Sequence, residues 1–191
     1  WAGLSDVTSA MQVQRGLGSS KLAISSVGGT INVVTRTSEM KQGGVVSAGV
    51  ANDDYLKTQA SYSTGKMKNG LSASILLSQT RGDGYVDGTK FEGANYFIAL
   101  GYEINDKHDV QFTFTGAPQW HNQRSNAPTI AQYMKYGSNN EPDIRYNSDW
   151  GYLNGKEFSF RTNYYHKPVM SLNWDYKIND ILENNYTNEF G

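Results

Sequence analysis

Leu71-Ser72-Ala73-Ser74-Ile75-Leu76-Leu77-Ser78 is the stretch on which the fold turns. In an extended chain successive side chains point to opposite faces. Leu71, Ala73, Ile75 and Leu77 then share one face, and Ser72, Ser74, Leu76 and Ser78 share the other. Helical spacing would spread those apolar residues around an axis, so the two-residue period predicts a strand. The alternation recurs downstream. Residues 95–104 place Tyr96, Ile98, Leu100, Tyr102 and Ile104 together, and residues 108–115 set Val110, Phe112 and Phe114 against Gln111, Thr113 and Thr115. Residues 169–178 set Met170, Leu172, Trp174, Tyr176 and Ile178 against Ser171, Asn173, Asp175 and Lys177. Weaker strands are expected over 44–52 and 55–65, and a seventh near Ile181. These strands are longer than the usual five or six residues.

The connectors alternate in length. Lys66-Met67-Lys68-Asn69-Gly70, Asn105-Asp106-Lys107 and Asn179-Asp180 are short, whereas 81–93 and 116–167 are long. Short turns at one rim and long loops at the other describe an antiparallel up-and-down meander of the kind that forms outer-membrane barrels, whose strands alternate apolar-out and polar-in. Phe114, Trp174 and Tyr176 are candidates for an interfacial aromatic girdle. A soluble antiparallel sandwich alternates in the same way, but strand length and loop asymmetry favour the barrel. Seven strands cannot close one, because bacterial single-chain barrels are even-numbered from about eight. Either the count is wrong by one, or the expected all-β meander is part of a larger barrel.

Composition narrows the function classes. Seventeen basic against eighteen acidic residues leave a net charge of −1, with no electrostatic footprint for nucleic acid. No Cys is present, which removes disulfides, thiolate metal sites and thiol nucleophiles. No apolar run approaches the roughly 18 residues of a membrane-spanning helix. Trp1-Ala2-Gly3-Leu4 has no signal-peptide character, so the N-terminus reads as a cut end.

Residues 11–37 fall outside the meander. Two apolar runs, Met11 to Val13 and Ile31 to Thr35, flank a Gly/Ser-rich stretch that lacks the spacing of a phosphate loop. The ordered series Val13, Arg15, Gly16, Ser19, Gly28, Gly29, Ile31, Asn32, Val33, Val34 and Thr35 resembles the end of the plug domain of TonB-dependent outer-membrane receptors. It departs from them in having Leu17 after Arg-Gly and Leu22-Ala23 before Gly-Gly. Arg81-Gly82-Asp83-Gly84-Tyr85, Asn105-Asp106-Lys107-His108, residues 116–124 and Tyr164-Tyr165-His166-Lys167-Pro168 resemble Bacteroidetes members of that family. The resemblance reaches to about Asn179. It implies a plug inside a barrel of about 22 strands. Residues 1–40 would be the C-terminal part of the plug, and 41–191 the first third of the barrel. It further implies a bacterial outer-membrane importer energised by TonB through a plug N-terminus absent from this chain. Its other partners would be outer-membrane lipid, a solute, and a surface lipoprotein or the barrel-assembly machinery. The solute stays open among siderophore, cobalamin-like cofactor, glycan and peptide. Absence of the Ala-Asn-Gly-Val plug ending of the starch-utilisation branch counts against a glycan. A passive porin or surface adhesin, and a soluble carbohydrate-binding sandwich, are the alternatives from other classes.

Candidate site residues lie in the long connector. Aromatic faces there suit sugar or chelate rings, and cations suit acidic groups. Trp120, His121, Arg124, Tyr146, Trp150 and Tyr152 are the expected ligand contacts, among ten aromatics that could equally serve to fold the loop on itself. His108, His121 and His166 lack metal-ligand spacing, and Asp83, Asp87 and Glu92 do not match a calcium loop. No nucleophile elbow or paired carboxylates appear, so no catalytic role, metal or cofactor is expected. Arg15 is expected to dock the plug through a wall carboxylate, while Gly16, Gly28, Gly29 and Asn32 shape the plug motif.

Overall fold

Alternation built from β-branched, aromatic and small residues folds as expected into paired antiparallel strands. The computed structural model describes residues 10–15, 28–34, 37 and 40–178. The expected strand near Ile181 lies outside the described residues, as do Gly16, Ser19 and Thr35. β1 (Ala10–Arg15) and β2 (Gly29–Val34) form a two-stranded antiparallel sheet with Arg15 opposite Gly29 and Gln12 opposite Asn32. The two apolar runs around the Gly/Ser-rich stretch are thus partners in one ladder.

The main sheet is a meander: β3 (Gly43–Ala51), β4 (Tyr55–Ser63), β5 (Leu71–Gly82), β6 (Phe91–Asn105) and β7 (His108–Gly116), each paired with the next. β12 (Val169–Tyr176) pairs with β7. Local chemistry closes the turns. Asp53 and Asp54 both take positive φ (56° and 53°) and the Tyr55 amide donates to the Asn52 carbonyl at 3.3 Å, the hairpin geometry that matches strand twist. Asn105 Oδ1 accepts from the amides of Lys107 (2.9 Å) and His108 (3.1 Å), turning β6 into β7.

Two expected loops are shorter than their sequence suggests. Pairing of β5 with β6 continues to Gly82 opposite Phe91, so the 81–93 connector shrinks to 83–90. Apolar alternation stops there, but polar cross-strand pairing does not: Arg81 sits opposite Glu92, and Gln79 Nε2 donates to Glu92 at 2.7 Å. In the 116–167 connector, β8 (Gln119–Asn122) pairs with β6 and β11 (Thr162–Tyr165) pairs with β8. They prolong the wall beyond β7 and β12, leaving 123–161 as the loop proper. That loop holds α1 (Ile130–Tyr136) and a hairpin of β9 (Trp150–Leu153) with β10 (Lys156–Ser159). α1 starts at a capping box, Thr129 with Gln132, and ends where the Gly137 amide bonds the Tyr133 carbonyl.

Register sorts the sheet into two faces. Gly44, Tyr62, Ile75, Ile98, Phe114 and Met170 form one cross-strand row; Ala73, Leu100, Phe112 and Leu172 form the next; Leu71, Tyr102, Val110 and Trp174 follow. The opposite face runs Ser63, Ser74, Ala99, Thr113 and Ser171, then Ser72, Gly101, Gln111 and Asn173. The apolar face is the uncovered one. Leu100 is 52% and Leu172 71% exposed, while Ser72 is 3% and Thr113 7% exposed. A soluble antiparallel sheet covers its apolar face and wets its polar one; here the order is inverted. Among the described residues only Leu76, Phe97 and Ala99 form a buried apolar cluster, and they sit on the polar face.

The chain just before β3 covers part of that face. The Thr37 amide donates to Gln111 Oε1 at 3.0 Å, its hydroxyl bonds the Ser74 hydroxyl, and the Met40 sulfur lies 3.3 Å from the same oxygen. Rings gather at both edges of the exposed apolar band. At the short-turn rim His108 stacks on Tyr176 (4.7 Å) and Trp174 (5.7 Å), and the Trp174 indole donates to His108 at 3.2 Å. Toward the long-loop rim Tyr96 meets Phe114 at 5.2 Å, with its hydroxyl 3.1 Å from His166 Nε2. Tyr176 thus stands at the expected edge, with Trp174 and Phe114 each one row inside their rim.

Candidate functional site

Strands that overrun the apolar band build a recess at the long-loop rim. Tyr55 and Lys57 of β4, Thr80 of β5, and Phe91 and Asn95 of β6 point to the polar face, joined there by Gln119 and His121 of β8. They enclose a cavity of about 530 Å³ that Trp120 also lines. The Phe91 ring packs where Gly82 has no side chain; a Cβ there would come within 2.8 Å of it. Tyr55 and Phe91 lie tilted at 6.4 Å, and His121 stacks on Tyr165 at 5.8 Å. Asn95 is 9% exposed; its Nδ2 donates to Ser78 at 2.9 Å, and its Oδ1 has no hydrogen-bond partner.

Above the recess the loops are tied together by polar contacts. Arg145 Nε donates to the Tyr85 carbonyl at 2.6 Å, its guanidinium pairs with Asp53 and lies 3.8 Å from Asp87, and it covers the Tyr85 ring at 5.1 Å. Buried Asn147 donates to the Asp87 carbonyl at 2.8 Å and accepts from the Asp149 amide at 3.0 Å. Asp149, also buried, accepts from the Ser125 amide at 2.8 Å, and hydrogen bonding to Ser125 holds its carboxyl below the usual range. Trp150 fills the space a Cβ at Gly88 would need and donates to Glu157 at 2.9 Å. Glu157 pairs with Lys90 at 2.6 Å; that bond, then the Trp150 bond, lowers its pKa, while the same bond raises that of Lys90. Tyr146 stacks on Tyr136 at 4.2 Å, and burial first, then the Tyr136 hydroxyl, raises its pKa.

No family model, curated protein or solved structure matches this chain. The site therefore stands on its own geometry.

That geometry divides the six expected ligand contacts. Trp120 and His121 both border the cavity, His121 with its side chain on the recess face and Trp120, opposite Glu92, with its side chain on the outward one. Arg124, Tyr146, Trp150 and Tyr152 do not border it: Arg124 donates to the Tyr133 hydroxyl at 3.2 Å, and Trp150 meets Tyr152 edge-on at 5.7 Å. These four make their contacts within the loop and with its neighbours. Sequence reasoning missed Tyr55, Phe91, Asn95 and Gln119, which reach one place only through the register of three strands. Gly28 precedes β2, Gly29 begins it with φ 132°, and Asn32 lies within it. Arg15 ends β1 opposite Gly29.

Proposed function

We propose that this chain belongs to an active receptor of the bacterial outer membrane, one that imports a scarce or bulky solute into the periplasm with energy delivered through TonB. The inverted sheet carries the reading. An uncovered face of Ile, Leu, Phe, Met and Trp across five neighbouring strands is costly in water, and contiguous apolar patches of that extent mark membrane or protein contact. In lipid it is the stable arrangement. Tyr96 to Ile104 spans nine residues of alternating outward apolar side chains, about what a tilted strand needs to cross the hydrocarbon layer. Thr37 and Met40 lying on the polar face favour a plug-bearing receptor over an empty pore, because they put the chain ahead of the wall on the side a lumen would occupy. The receptor performs no covalent chemistry in this reading.

Native full-length protein taken from outer membranes tests it. A plugged receptor needs detergent for release and gives no steady conductance in a planar bilayer. Ohmic single-channel steps would instead identify a passive porin, and release into buffer would identify a soluble protein.

A further inference from the structure

We infer that the recess over β4, β5, β6 and β8 binds a neutral, hydroxyl-rich ring ligand, an oligosaccharide. The inference deepens the import reading by naming the class of solute, and rests on it for its biology. Asn95 supplies the first reason. A buried polar group without a partner is costly, and the Asn95 amide has one: its Nδ2 bonds Ser78 and its Oδ1 bonds nothing. Asn95 lines the recess, so a turn of this side chain toward the space would let an entering hydroxyl fill that capacity.

Ring faces supply the second. Tyr55 and Phe91 line the space beside the amide of Gln119 and the imidazole of His121, all four on the recess face. Flat apolar surfaces interleaved with neutral donors and acceptors match a sugar, which shows C–H groups on its ring faces and hydroxyls around its edge. Charge supplies the third. Lys57 is the one lysine or arginine among the lining residues, and the Glu92 carboxylate is taken up by Gln79 on the outward face, so no cationic cluster awaits a phosphate or an acidic chelate. The backbone supplies the fourth. Residues 91–93 are paired on one side with 80–82 and on the other with 119–121. No unpaired ladder is left there for an extended peptide to join. The cavity, about 530 Å³, has the size of a small-ligand site. Absence of the starch-utilisation ending concerns the plug motif, which contributes none of these residues.

Titration calorimetry on detergent-purified full-length protein tests the inference, with maltohexaose, cellohexaose and xylohexaose as sugar probes and hexaalanine and ferric citrate as the others. One sugar is expected to bind with unit stoichiometry. Asn95→Ala, Phe91→Ala and the exposed Gln119→Ala should each weaken it at least ten-fold, and Tyr136→Ala, in the loop stack, should leave it unchanged. Gln119→Ala keeps the test open should Asn95→Ala or Phe91→Ala unsettle the sheet. Three results would overturn the inference: no sugar binding, sugar binding indifferent to all three substitutions, or hexaalanine or ferric citrate binding with that dependence. Steady conductance from the same preparation would overturn the import reading and leave this binding result intact.

Discussion

Arg145 joins three connectors at once: the β3–β4 turn through Asp53, the β5–β6 loop through Tyr85 and Asp87, and its own loop. Each exposed pair is worth at most about 1 kcal/mol. Arg145→Met should therefore loosen the rim without unfolding the wall. The expected outcome is about five-fold faster proteolysis within 83–90 and 123–161, with strand sites unchanged; unaltered loop cleavage would deny Arg145 this role. Rim order should also depend on pH. Asp149 and Glu157 have folded pKa values below their ordinary ones. Their contribution is complete above the unfolded carboxylate range, near 4, and is lost as pH falls through the lowered folded values. Lys90, raised by Glu157, behaves in the opposite sense: its share is complete below its unfolded value and is lost only as pH rises through the folded one. Acrylamide quenching of Trp150, taken as the difference from Trp150→Phe, should hold steady from pH 8 to 6 and rise only below about pH 4. Glu157→Gln should flatten that rise. At this scale the place of His121 beside the recess was legible, because an imidazole at the root of a long loop stands near the rim. Asn95 was not, since a lone Asn in an apolar strand gives no sign that its oxygen is orphaned.

Alternation between faces decides what each strand can tolerate. If Leu100 and Phe112 face lipid, then Leu100→Arg or Phe112→Arg should cost about 2–4 kcal/mol in denaturant unfolding from detergent or vesicles. Gln79→Arg, beyond the apolar rows on the same face, should cost close to nothing. On a wetted sheet face all three would be nearly neutral. The strands of the meander were legible to within a few residues wherever apolar and polar side chains alternate. Legibility failed where pairing runs on through polar sequence, as at Arg81 and Glu92, and where a wall strand resumes after a break, as β8 does beyond Pro118. α1 was missed although Thr129 and Gln132 spell its capping box, because seven residues are too few to show a helical period.

At the scale of the molecule, β3 pairs with β4 alone and β12 with β7 alone among the described residues. Unpaired ladder edges in lipid cost several kcal/mol per group, so in a membrane both edges must be met by further strands, as closure of a larger barrel requires. The all-β antiparallel architecture could be read from the sequence, but the recess could not. Tyr55, Asn95 and Gln119 come from three strands, and only their register makes them neighbours.

The central claim, that the apolar face meets lipid, can be measured directly. These 191 residues hold no Cys, so single-cysteine variants along residues 96–104, made in full-length protein with any cysteine elsewhere replaced by serine and spin-labelled in native membranes, report one position each. Collision with oxygen, which partitions into lipid, should be high and collision with a water-soluble nickel chelate low at 98, 100, 102 and 104. Positions 97, 99, 101 and 103 should show the reverse balance or protection from both. Nickel access at 98, 100 and 102 equal to that at Asp106 in the turn would contradict the claim by placing the face in water. Protection of 98, 100 and 102 from both reagents would contradict it equally, by placing the face in a packed protein core.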